Sequence, residues 1–101
     1  MNENIAIALA NQEAKDMKNP KQDFVSYTLN AGQVIEGSED ATFFLLGNPS
    51  GIFIVGEDGA RYDSQNIILH QQHTFRNGLQ RLENRLGVAQ TVYFYIVFDL
   101  C

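Results

Sequence analysis

The chain has 101 residues, of which 45% are hydrophobic and 19% charged, and its formal net charge is −5. This size and composition are those of one globular domain, and the negative charge excludes a general nucleic-acid or anionic-membrane binder, which needs a dense positive field. The longest apolar stretch, Val92–Phe98, is far shorter than the roughly 20 residues of a membrane helix, so no transmembrane segment is predicted.

Residues 1–20 are predicted to form a short N-terminal arm that is helical in part. Its apolar residues recur at helical spacing, at Ile5, Ala8 and Leu9. Asn2 or Asn4 can cap the start of the helix, and an Asn-Pro pair at residues 19–20 stops it. The apolar stripe is thin, so we expect the arm to dock either on its own domain or on a neighbouring subunit, with Ile5 and Leu9 in contact.

Residues 21–101 are predicted to form one β-sandwich domain of about seven or eight short strands. The strands are expected at residues 23–30, 33–36, 41–46, 51–55, 61–63, 66–70, 79–83 and 91–100, with a loop or irregular strand at 71–78. Asp58-Gly59 is a hairpin signal, because glycine adopts positive φ at little cost. No helical pattern lies between the strands. The fold class is therefore all-β: a single jelly roll or, alternatively, another Greek-key sandwich.

The last predicted strand, residues 91–100, is apolar on both of its faces. One face carries Val92, Phe94, Ile96, Phe98 and Leu100, and the other includes Tyr93, Tyr95 and Val97. A strand that is half exposed to water usually shows one polar face. Two interpretations stay open: an ordinary strand, either central and buried or with its tyrosine hydroxyls in solvent, or a strand whose Tyr93 and Tyr95 face a neighbouring subunit.

Nothing in the sequence predicts catalysis or metal binding. The pair His70 and His73 falls on a strand and a loop, without the further ligands that zinc requires. Acidic residues near the turns are expected to bind local backbone amides rather than Ca²⁺. No nucleophile motif and no glycine-rich phosphate loop is present. We therefore predict a protein that is not an enzyme and has no catalytic residue, metal or cofactor.

Opposite charges are concentrated in two segments of the chain. Residues 36–63 contain six acids and one base, whereas residues 76–85 contain three arginines and one acid. If the two segments lay on different sides of the domain, the polarised surface would suit head-to-tail contact between copies, with Arg81 and Arg85 in that contact. Otherwise the charges are simply scattered and solvated.

The segment Leu82–Val92, Leu-Glu-Asn-Arg-Leu-Gly-Val-Ala-Gln-Thr-Val, resembles a pattern in small bacteriophage virion proteins. In those proteins a strand runs into Asn, a glycine-containing turn and Ala-Gln-Thr-Val before the final strand. Looser similarity at Tyr27–Val34, Phe43-Phe44 and Asp58-Gly59 extends the resemblance over residues 24–100. The layout also resembles the single jelly-roll vertex proteins of icosahedral phages that contain a membrane.

The resemblance implies a structural subunit of a bacteriophage virion, such as a capsid vertex (penton), spike-base or minor capsid protein. Its partners would be further copies of itself, as a pentamer at a vertex, and other virion proteins. It would be made in the host cytoplasm, where the single cysteine, Cys101, stays unpaired. The predicted interface residues are Ile5, Leu9, Arg81, Arg85, Tyr93 and Tyr95. The alternative function is a small module that binds a carbohydrate or a peptide, in which Tyr62, Tyr93 and Tyr95 stack on sugar rings.

Overall fold

The computed structural model describes residues 1–65 and 71–100. Within them are one helix and eight strands: α1 (Glu3–Ala14), β1 (Pro20–Leu29), β2 (Val34–Glu36), β3 (Thr42–Leu45), β4 (Ile52–Gly56), β5 (Arg61–Asp63), β6 (Thr74–Phe75), β7 (Leu79–Asn84) and β8 (Gln90–Asp99). Most strands begin and end close to their predicted bounds, and β6 falls in the segment predicted as a loop or irregular strand. The strand predicted at residues 66–70 lies outside the described residues.

The strands form two antiparallel sheets of four strands each. The first sheet has the order β1-β8-β3-β6 and the second has the order β2-β7-β4-β5. Four ladders join strands whose numbers add up to nine, namely β1 with β8, β2 with β7, β3 with β6 and β4 with β5. Two further ladders, β3 with β8 and β4 with β7, complete the sheets. The prediction of an all-β fold with an N-terminal helix is confirmed.

Apolar residues of both sheets share one core. The inner faces contribute the buried side chains Leu29, Phe43, Leu45, Ile52, Ile54, Tyr62, Phe75, Leu79, Leu82, Val92, Phe94 and Ile96. The ring of Phe94 meets the rings of Tyr27 and Phe43 edge-on, with centroids 5.9 and 5.4 Å away. Alternate residues of each strand point into this core, so the period-two pattern of the sequence is what brings the sheets face to face.

The helix α1 packs on the outer face of the first sheet. Asn2 caps it, since its side-chain oxygen accepts a hydrogen bond from the backbone N–H of Ile5 at 2.8 Å. Its buried residues cluster with side chains of β3 and β8, namely Phe44, Tyr95 and Val97. The arm therefore packs on its own domain in this structure. Within residues 1–65 and 71–100, no helix has both the length and the apolar character that crossing a membrane requires.

The buried face of α1 differs from the predicted stripe. Ala6 and Ala10 are fully buried, whereas Ile5 and Ala8 are exposed and Leu9 is half-buried. The sheet surface beneath the helix is built from large side chains, so small alanines allow the helix to approach it closely. The predicted stripe therefore coincides only in part with the buried face: Leu9 packs against this second cluster, whereas Ile5 is exposed.

Candidate interaction surface

The position of strand β8 in the sheet determines which of its aromatic side chains are exposed. It lies between β1 and β3, and its inner-face residues are buried in the core. On its outer face, Tyr95 and Val97 lie under α1. Tyr95 is 8% exposed, and its hydroxyl donates a hydrogen bond to Gln22 Oε1 at 2.6 Å. Tyr95 was predicted as an interface residue, but the helix of its own chain covers it.

Tyr93 lies on the same face of β8, beyond the part that α1 covers. It is 57% exposed, and Phe24 on the neighbouring strand β1 is 51% exposed. Tyr93 lies opposite Ser26, while Phe24 lies opposite Tyr95 with ring centroids 4.7 Å apart. Two exposed rings thus flank a small serine. We call this surface the aromatic groove; it is lined by Glu3, Phe24, Val25, Ser26, Leu46, Gly47, Tyr93 and Phe94.

Strand β1 borders the aromatic groove and forms an edge of the first sheet. Among the described strands it pairs with β8 alone, over its whole length. The backbone N–H of Phe24 donates to the Asp23 carboxylate at 2.8 Å, a group of its own strand. On the far side of β8, the carbonyl of Tyr93 accepts from the N–H of Leu46.

The backbone groups of β1 therefore alternate in direction. The Tyr93 carbonyl points toward β3, so the backbone N–H and C=O groups of the next residue, Phe94, point toward β1. There they pair with the backbone of Val25, which lies opposite Phe94. Val25 consequently faces β8, and Phe24 faces the open edge. The even-numbered residues of β1 present their N–H and C=O groups along this edge, where β8 does not reach them.

The other sheet edges in the described part of the chain are short. Strand β6 has two residues, and β2 and β5 have three each, whereas β1 has ten. Very short edge strands are one means by which proteins prevent association of their sheets. The edge of β1 is therefore the one best suited to pair with a strand of another molecule.

Arg81 and Arg85, both predicted as interface residues, lie on the second sheet or just after it and pair within the chain. Arg81 is 3.3 Å from Glu36 and 3.6 Å from Glu83. Arg85 is 3.4 Å from Glu83 and 3.6 Å from Asp63. The condition for a polarised surface is not met at these two arginines, because β7 lies between β2 and β4 and places them beside acids of the same sheet.

Tyr62 is a core residue and does not reach the surface. It is 2% exposed, and its hydroxyl donates to the Pro49 carbonyl at 2.9 Å. The sugar-stacking role considered for it is therefore wrong, since β5 points this ring between the sheets. Of the three tyrosines considered for that role, Tyr93 alone is exposed.

The segment Leu82–Val92, which carries the resemblance, contains a buried hydrogen-bonding residue, Asn84, that the sequence analysis did not select. Asn84 is fully buried. Its Nδ2 donates to the carbonyl oxygens of Leu29, Asn30 and Val88, at 3.3, 3.1 and 2.8 Å. Its Oδ1 accepts from the N–H of Leu86 and from Gln90 Nε2, at 3.0 and 3.1 Å. One amide thus closes the turn between β7 and β8 and ties it to the end of β1.

His73 and Asp58, two polar residues that the sequence analysis considered, make hydrogen bonds within the chain. His73 Nε2 lies 2.9 Å from Asn48 Oδ1, and burial lowers the pKa of His73 from its ordinary value of 6.5. His70, the other histidine of the H-x-x-H pair, lies outside the described residues, as does Cys101. The Asp58 carboxylate accepts from the backbone N–H groups of Ala60 and Arg76, as expected for a turn acid. In the described ranges, no group of three or more His, Cys, Asp or Glu residues could hold a metal ion.

The predicted interface residues do not form one patch. Ile5 and Leu9 lie on α1, Tyr93 and Tyr95 lie on the first sheet, and the two arginines belong to the second sheet and the turn that follows it. Comparison with models of protein families, with curated proteins and with solved structures finds no match for the chain. The candidate functional surface is therefore defined by geometry: the aromatic groove and the open edge of β1 beside it.

Proposed function

We propose that the chain is a structural subunit of a bacteriophage virion, a capsid vertex or minor capsid protein that acts by self-association and by contact with other virion proteins. The observation that carries this proposal is the strand pairing. A long antiparallel ribbon in which the chain runs out along four strands and returns along the next four pairs the first strand with the eighth, the second with the seventh, and so on. The numbers of paired strands then add up to nine. Rolling such a ribbon into two sheets gives a jelly roll, a fold of viral capsid domains and also of lectins and cupins.

The exposed surface supports the same proposal. Aromatic side chains are enriched in protein interfaces, and the aromatic groove exposes two of them beside an open strand edge. The resemblance of residues 82–92 to phage virion proteins supports the assignment of this subunit to a virus particle. Asn84 and Gln90 of that segment hold the turn before the last strand, which is a structural rather than a catalytic role.

In this proposal the chain uses no cofactor and performs no chemistry. It is made in the host cytoplasm, joins the virion during assembly and contacts further copies of itself. At a five-fold vertex it is a pentamer. Contact with nucleic acid is not part of the proposal, because the net charge of −5 opposes it.

Particle composition tests the proposed function. Virus particles produced from the genome that encodes this chain are purified, and their proteins are quantified by mass spectrometry. We expect the chain at a fixed ratio to the major capsid protein, in the same fractions through the gradient. A soluble host protein of similar abundance is the control and should be depleted. Absence of the chain from purified particles would contradict the proposal.

A second candidate function is that of a module that binds a carbohydrate or a peptide. The exposed ring of Tyr93 beside a groove favours it, because aromatic faces stack on sugar rings and the jelly roll also occurs in lectins. A glycan array probed with the wild-type chain and with Tyr93→Ala tests this candidate. Binding that the substitution abolishes would support it, and an array without binding would remove the carbohydrate version.

A further inference from the structure

We propose that the open edge of β1 pairs antiparallel with β1 of a second copy of this chain, with Val25 on the two-fold axis. The Phe24 ring of each copy then covers the aromatic groove of the other. This inference rests on the proposed function in one respect, that the chain self-associates, and it names a two-fold contact between two copies, which is separate from the head-to-tail contacts of a five-fold ring.

Backbone geometry limits the registers of such a pair. Directly opposed residues of two antiparallel strands point to the same face of the sheet, because side chains alternate with a period of two. A two-fold axis perpendicular to the sheet keeps the outer faces of both copies on one side. The axis must therefore lie midway between a residue and the same residue of the other copy, so that this residue is opposed to itself. An axis through Val25, for example, places Val25 opposite Val25.

Electrostatics and backbone donors distinguish the central registers. An axis through Asp23 would place two carboxylates directly opposite each other, which destabilises a sheet. An axis through Phe24 would place Pro20, which has no N–H, opposite Thr28 and lose a ladder hydrogen bond there. An axis through Val25 avoids both problems, since it leaves Pro20 outside the paired residues and separates the two Asp23 side chains.

The same register fits the side chains of the outer face. With Val25 on the axis, Phe24 of one copy lies opposite Ser26 of the other. Ser26 lies next to Tyr93, so the incoming ring lands on the aromatic groove. Phe24 and Tyr93 are each more than half exposed in the single chain and would both be covered.

This arrangement argues for a second copy as the occupant, rather than another protein. The projecting ring and the groove that receives it belong to one strand, one residue on either side of the axis. That is the self-complementarity which a contact between identical subunits requires. The ten-residue length of β1 also gives each copy a partner strand of equal length.

Asp23 opposes the pairing in the single chain. Its carboxylate accepts a hydrogen bond from the Phe24 N–H, the donor that must bond the Ser26 carbonyl of the second copy. Self-association has to displace this contact. Substitution of Asp23 by alanine removes the competitor and should tighten the dimer, whereas substitution of Phe24 by serine removes the ring and should weaken it.

Disulfide trapping tests the register directly, in a Cys101→Ser background. Phe24→Cys and Ser26→Cys chains are mixed and oxidised, and each is also oxidised alone. Directly opposed residues of a hydrogen-bonded pair have Cα atoms about 5.5 Å apart, within disulfide reach. Residue 24 of one copy lies diagonally from residue 24 of the other, and residue 26 from residue 26, at about 7–8 Å. We expect cross-linked dimers mainly in the mixture.

Sedimentation velocity over a concentration series measures the strength of the contact. Phe24→Ser should raise the Kd about tenfold or more, the effect of losing a buried aromatic side chain. Asp23→Ala should lower the Kd. The matched control is Val88→Ser, which removes an apolar side chain that is 64% exposed and lies outside β1. It should leave the Kd unchanged.

Two results would overturn the edge pairing. One is an assembly whose Kd does not respond to Phe24→Ser and that yields no mixed disulfide; this would leave the proposed function standing, with another contact. The other is a chain that stays monomeric at every concentration. The composition of purified particles then decides the proposed function separately, because it does not depend on which surface the copies use.

Discussion

The buried amide of Asn84 joins three stretches of backbone that are far apart in the sequence. Its Nδ2 donates and its Oδ1 accepts, so all of its hydrogen-bonding capacity is directed at the turn after β7, the start of β8 and the end of β1. Gln90 extends the connection by donating to the Ser50 carbonyl at 2.8 Å. A small set of side-chain amides thus holds one end of the two sheets together.

Replacing Asn84 should therefore be costly. Asn84→Ala leaves buried carbonyls and the Leu86 N–H without a partner, and we expect a loss of about 2–4 kcal/mol in the free energy of unfolding. Urea unfolding followed by circular dichroism measures it. Asn11→Ala, at an exposed helix position with one side-chain bond to Gln22, is the control and should change stability by less than about 0.5 kcal/mol. Equal effects of the two substitutions would refute this role.

His73 gives a prediction in pH. Burial favours its neutral form and lowers its pKa in the folded chain, whereas the unfolded chain keeps the ordinary value of 6.5. Below that value the unfolded chain binds more protons, so the contribution of His73 to stability is full above pH 6.5 and falls as the pH drops towards the folded pKa.

NMR titration of the imidazole should accordingly give a pKa below 6.5 for His73. Denaturant unfolding across the same range should show that wild type loses more stability on acidification than His73→Gln does. Because both proteins share all other titrating groups, the difference isolates this residue. A pKa at or above 6.5 would contradict the burial argument.

At the scale of elements, α1 meets the sheet through small buried side chains. Its fully buried residues are Ala6 and Ala10, and Glu13 pairs with Arg76 at the far end. A helix of twelve residues is marginal alone, so its order depends on this contact. Releasing α1 would uncover Phe44, Tyr95 and Val97 and join them to the aromatic groove.

A charge placed under α1 should detach it. Ala10→Glu buries a carboxylate against apolar side chains, and we expect a loss of about 2 kcal/mol or more together with faster hydrogen exchange of the helix amides. Ala8→Glu places the same charge on the exposed side of the helix and should have little effect. If both variants protect the helix amides equally, the packing described for α1 is incorrect.

How far the sequence predicts these elements depends on whether the information is local. Most strands were predictable because alternation and turn residues are local signals. Strand β6 was not, since two residues in a polar stretch carry no period. The charge pairing of Arg81 and Arg85 depends on β7 lying between β2 and β4, which no local pattern reveals. The cover over Tyr95 likewise follows from where α1 docks.

For the whole molecule, the strand order and the surface support one account. Strand pairs whose numbers add up to nine favour a jelly roll. The long open edge of β1, next to Phe24 and Tyr93, is the surface that a subunit would offer to a second copy. Of the residues predicted as interface, Tyr93 is exposed at this surface. Phe24, which the sequence analysis did not select, lies beside it because β1 and β8 pair in a register that only the folded sheet defines.

Self-association through this surface would make the mass of the chain in solution depend on Phe24. Light scattering coupled to size-exclusion chromatography, run over a concentration series on wild type and Phe24→Ser, tests it most directly. We expect a discrete multiple of the 11.4 kDa chain for wild type and a smaller species for Phe24→Ser at the same concentration. A single species of 11.4 kDa for both proteins at every concentration would contradict it.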